Sequence, residues 1–84
     1  MKFLRERQSL NTWRFYADDT GRFEASVVCF EQPSPFGIDG GRISKLFIQD
    51  KSNGKFVCSY DRTWNVKPTS DVKAFYEEIL NTLN

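Results

Sequence analysis

Between Thr12 and Asp61 the chain alternates apolar and polar residues with the two-residue period of half-buried strands, and beyond Pro68 the spacing changes to that of a helix. Four stretches predict strands: "TWRFYA" (Thr12–Ala17), "RFEASVVCFE" (Arg22–Glu31), "RISKLFIQD" (Arg42–Asp50) and "KFVCSYD" (Lys55–Asp61). The first ends at Asp18-Asp19-Thr20-Gly21, which is turn chemistry, and Asn53-Gly54 between the third and fourth is a strong hairpin signal. Connections this short make neighbouring strands antiparallel, because a parallel pair needs a crossover of roughly a dozen residues or more. In "VKPTSDVKAFYEEILNTLN", Val72, Phe75, Tyr76, Ile79, Leu80 and Leu83 fall on one helical face. Thr69 or Ser70 is placed to cap that helix, with Asp71 near its positive end. The pattern predicts an α+β domain: an antiparallel meander of about four strands with one C-terminal amphipathic helix packed on one face. It is one domain over residues 1–84, with residues 1–10 either flexible or laid over the open face of the sheet.

A single helix covers one side of a sheet, so the other side should be polar. It is not. If Phe23, Ala25, Val27 and Cys29 face the helix, Val28 and Phe30 face away. In the third strand Leu46 and Ile48 oppose Phe47, and in the fourth Phe56, Cys58 and Tyr60 oppose Val57. Tyr16, Val28, Phe30, Phe47 and Val57 then form an apolar patch on the open face. Phe3, Leu4 and Leu10 could cover it, a second copy or another protein could dock there, or a bulge could exchange the two faces.

Composition narrows the chemistry. The 84 residues carry eight Phe, three Tyr and two Trp, a large aromatic payload for one small core. The formal net charge of +1 sets up no strong field toward nucleic acid or a membrane surface. No apolar run approaches the ~20 residues of a membrane span. The opening "MKFLRERQSLN" lacks the apolar centre of a signal peptide, so the expectation is a cytoplasmic protein. Cys29 and Cys58 are then expected as free thiols, and with no histidine they cannot complete a zinc site within one chain. The absence of histidine also removes the usual general base near neutral pH. No phosphate-binding glycine loop with a Gly-Lys-Ser/Thr ending occurs. The expectation is a protein that is not an enzyme and has no cofactor and no metal.

Two segments stand out beyond the patch. The connection "EQPSPFGIDGG" (31–41) is long for a hairpin, with Pro33 and Pro35 stiffening its first half. Phe36 and Ile38 are expected to pin it to the core. Gly40 and Gly41 launch the third strand and stand beside Arg42 and Lys45, whose charges and neighbouring amides suit a small anionic ligand. The second segment, "YDRTWNVKP", places Asp61, Arg62 and Trp64 at the exit of the fourth strand. They suit either a corner lock or a recognition patch of binding-hot-spot residue types.

The run "FGIDGGRISKLFI", then "NGKFVCSYDRTW", a proline and an amphipathic helix resembles a family of small uncharacterised proteins of phages, prophages and low-GC Gram-positive bacteria. The likeness extends from Trp13 onward and rests on a Gly-Gly-Arg-Ile-Ser-Lys-Leu strand entry and a Tyr-Asp-Arg-Gly-Trp corner. Thr63 stands where that corner has glycine. The resemblance implies a mobile-element setting, no assigned activity, and Gly40, Gly41, Arg42, Lys45, Asp61, Arg62 and Trp64 as a candidate surface. The expected function is non-catalytic contact with a protein partner, with homodimerisation or inhibition of a host protein among its forms. Binding of nucleic acid through open-face aromatics with Arg14, Arg22, Arg42 and Lys45 is the second reading. A small anion at the glycine loop is the third.

Overall fold

The computed structural model describes residues Met1–Asn84 and contains one antiparallel sheet of six strands in simple sequence order. The strands are β1 (Lys2–Gln8), β2 (Thr12–Ala17), β3 (Phe23–Cys29), β4 (Ile43–Asp50), β5 (Phe56–Asp61) and β6 (Trp64–Val66). A 3-10 turn at Ser70–Val72 leads into the single helix α1 (Lys73–Leu83). The α+β class and the C-terminal helix agree with the sequence pattern, but the strand count does not. The pattern missed β1 and β6 for different reasons. "KFLRERQ" is a charged edge strand that buries little, and "WNV" is three residues long. β1 pairs beside β2, from Lys2 opposite Ala17 to Gln8 opposite Thr12, and so extends the sheet rather than crossing its open face. Leu10, in the turn that follows, is 99% exposed.

The core lies between the sheet and α1. Ala25, Leu46, Ile48, Cys58, Val72 and Ile79 have no exposed surface, and Phe23, Val27, Tyr60 and Phe75 are nearly as well covered. Burial of that apolar face, worth about 25 cal/mol per Å2, is what holds a helix of this length to the sheet. The helix begins differently from expectation. Thr69 and Ser70 make no side-chain cap: the Thr69 hydroxyl donates to Asp71, and the Thr69 carbonyl accepts from Val72 in the 3-10 turn instead.

One half-buried ion pair ties this end together. Asp50, 2% exposed, accepts from Arg22 Nε and Nη2 (2.8 Å to Nη2) and from the Ser52 amide and hydroxyl. Arg22 Nη2 also donates to Asp71 at 3.0 Å, so one guanidinium links β3, β4 and the start of the helix. These donors, Arg22 foremost, hold the Asp50 carboxyl down at about 2.

Candidate functional site

Register decides which side chains reach the open face, and two irregularities matter. Ile48 faces Cys58 while Gln49 faces Phe56, so the bulge between them leaves Val57 out of step. Phe56 thereby moves to the open face beside Phe47, their rings 6.5 Å apart, and Val57 packs against the core cluster. Tyr16 also departs from expectation: it pairs with Ala25 and is buried on the helix side. Phe30 lies past the end of β3, in a different cavity from Phe47. Of the expected patch, the open face keeps Phe47 and the buried Val28.

Other rings replace those lost. Arg5, Phe15, Ser26, Phe47, Ser59 and Val66 stand opposite one another in one row across all six strands. Trp13 reaches across β3 to within 6.1 Å of Phe47. Together Arg7, Trp13, Phe15, Ser26, Phe47 and Phe56 line a groove of about 340 Å3. Its floor is Ser26, a small polar residue between two phenylalanines. The Arg5 guanidinium lies 4.2 Å from the centre of the Phe15 ring and bonds Glu24 at 3.3 Å. Lys45 is held by Asp61 at 2.6 Å, whereas Arg7 makes no ion pair. Trp13 and Phe15 were missed because Tyr16 was expected on the open face, which turns both its alternating neighbours toward the helix, and Phe56 changes sides only through the bulge.

The glycine loop has a structural occupant. The Asn84 side chain accepts from the Ile43 amide at 3.0 Å and donates to the Ile38 carbonyl at 2.9 Å. A Cβ at Gly41 would fall inside that side chain, and Gly40 has φ of +71°. The two glycines thus serve a positive-φ turn and a close approach of Asn84. Ile38 is fully buried, Phe36 is 62% exposed, and Tyr60 donates to the Phe36 carbonyl at 2.9 Å. Arg42 and Lys45 do not converge. Arg42 donates to the Phe30 carbonyl and lines a cavity of about 260 Å3 with Arg14, Val27, Cys29 and Leu83, while Lys45 stands on the open face.

The corner after β5 has the packed indole of a corner lock, but its charges pair elsewhere. Asp61 pairs with Lys45 rather than Arg62, and Arg62 adopts φ of +61° while its amide donates to Ser44. Trp64 fills the gap between sheet and helix, 5.0 Å from Tyr60 and 5.9 Å from Tyr76. Both cysteines are free. Burial pushes the Cys29 thiol up, against the pull of Arg42 and Arg14, and pushes Cys58 up to about 12. No group of His, Cys, Asp or Glu is arranged to hold a metal ion, and no helix is long and apolar enough to cross a membrane.

A small α+β domain with one covered and one aromatic sheet face is the class that these observations define. The chain belongs to a family described as a domain of unknown function, DUF7678, whose model matches residues 13–84. No curated protein and no solved structure matches it.

Proposed function

We propose that the protein is a non-catalytic binding module, an accessory protein of the phage and prophage kind, which works by docking the open face of its sheet onto a macromolecular partner. The observation that carries this reading is the groove at Trp13, Phe15, Phe47 and Phe56: four rings gathered on the side that α1 does not cover. Phe56 is exposed and the other three rings are half-buried; the apolar surface they leave in water costs free energy that a docked partner recovers. Protein contacts concentrate their energy in Trp, Tyr and Arg, so Trp13 and Arg7 fit a protein partner, a host protein or a second copy of the chain included. Single-stranded nucleic acid uses the same rings as a stacking surface.

The test is capture from a cell extract by tagged wild type and by Phe47→Asp, with both proteins and nucleic acids recovered from the beads. The wild type retains a component that the variant loses, while circular dichroism shows both folded. Equal capture by the two would remove the open face as the working surface. Light scattering at two protein concentrations reads self-association in the same samples.

A further inference from the structure

We infer that the cavity between the end of α1, the start of β2 and the end of β3 takes a free α-amino acid with an apolar side chain, held at both of its charges. This cavity is on the helix side of the sheet, so the site is independent of the open face. Its volume of about 260 Å3 falls just under the ~300 Å3 at which pockets for drug-sized ligands begin, which suits a single small molecule.

Two guanidinium groups enter the cavity from separate segments. Arg42 donates from Nε to the Phe30 carbonyl at 3.1 Å, and Arg14 donates from Nε to Glu6 at 3.2 Å. The terminal nitrogens of both have no partner within the protein. The edge of a guanidinium matches a carboxylate, which accepts two parallel hydrogen bonds from it. Both arginines also act on the Cys29 thiol, which lines the same cavity, so their charges converge there.

An anion alone does not fit the remaining lining. Glu31 borders the same cavity, and neither Glu31 nor Arg42 is in any ion pair. Opposite charges that share a cavity without closing on each other suit a ligand carrying both charges in the reverse order. The two arginines balance Glu6 and Glu31, and a zwitterion preserves that balance, whereas a simple anion meets repulsion from Glu31. The ligand's carboxylate then lies on Arg42 and Arg14, and its ammonium group on Glu31. Val27, Phe30 and Leu83 supply apolar wall for its side chain, which favours leucine, methionine or phenylalanine over a polar amino acid.

Cys29 serves as the reporter, because Cys58 has no exposed surface in the folded protein. Labelling by iodoacetamide is followed by mass spectrometry with and without L-leucine, L-methionine or L-phenylalanine at millimolar concentration. Each amino acid slows labelling at Cys29. Leucinamide lacks the carboxylate, and 4-methylpentanoate is leucine without its amino group. Each protects roughly tenfold to a hundredfold less well, the loss expected when a charged hydrogen-bond partner is missing. In Glu31→Gln the order reverses, and 4-methylpentanoate protects better than leucine. Arg42→Gln loses protection by both. Circular dichroism checks that the variants fold. Glu31 is exposed and its side chain bonds to nothing, so Glu31→Gln decides the matter even where Arg42→Gln fails to fold.

Absence of protection by all three amino acids overturns the inference. So does equal protection of the wild type by 4-methylpentanoate and leucine, which makes the cavity a plain anion site. Protection by leucine that Glu31→Gln leaves unchanged overturns it as well.

Discussion

The Asn84 side chain occupies the space that any side chain at position 41 would need. It holds the Ile38 carbonyl and the Ile43 amide, one on each side of Gly41, and so fastens the loop before β4 to the end of α1. Gly41→Ala must expel the Asn84 amide and break both hydrogen bonds, each worth about 1 kcal/mol net. The expected cost is about 1–2 kcal/mol by urea unfolding. Asn84→Ala should cost about as much, and adding Gly41→Ala to it should cost little more, because the obstacle is already gone.

Neighbouring residues in β4 should respond oppositely to truncation. Ile48 is fully buried against the helix, so Ile48→Ala should lose about 2–5 kcal/mol. Phe47 points to the open face, and Phe47→Ala should lose no more than about 1 kcal/mol, with partner binding suffering instead. Denaturant midpoints of the two variants decide the face assignment without knowledge of any partner.

Acid stability should carry the signature of Asp50. Its folded carboxyl titrates at about 2 against an ordinary 3.8, so the charged form is favoured in the fold. The resulting stability is present in full above pH 3.8 and is lost as the pH falls toward about 2. Asp50→Asn should therefore be less stable than wild type at neutral pH, and the gap should close through that window. Thermal melts of both proteins across the acid range measure it.

The two thiols should be distinguishable. Cys58 has no exposed surface and a thiol held at about 12, so a thiol reagent should reach it only when the protein unfolds, its labelling rate tracking global stability. Cys29 is half-buried beside Arg14 and Arg42 and should react first. Mass spectrometry of the singly labelled protein should find the adduct at Cys29.

Arg62 pays a backbone cost for its turn. A non-glycine residue at positive φ costs of order 1 kcal/mol or more, and the Arg62 amide, not its side chain, makes the contact to Ser44. Arg62→Gly keeps that contact and removes the strain. It should be neutral or stabilising by up to about 1 kcal/mol in thermal melts, since glycine's greater freedom in the unfolded chain offsets part of the relief.

Much of this architecture was legible in one dimension. The 3.6-residue spacing from Val72 to Leu83, the alternation in β3 and β4, and Asn53-Gly54 at the β4–β5 turn each report local geometry, and each lies where the spacing placed it. The surplus of apolar residues over what one helix covers was legible too, because it needs only a count. Their assignment to positions was not. One bulge opposite Ile48 and Gln49 sent Phe56 outward and Val57 inward, and the register of β2 on β3 turned Tyr16 inward and so Trp13 and Phe15 outward.

By itself, then, the amino-acid order determined a meander, a C-terminal helix on one face and a side of the sheet with aromatic residues to spare. Only the tertiary structure decided which rings share that side, that Asn84 fills the glycine turn, and that Arg42 and Lys45 part company. The physical reason is that periodicity is a property of one strand, whereas register, bulges and long-range hydrogen bonds are properties of pairs of segments far apart along the chain.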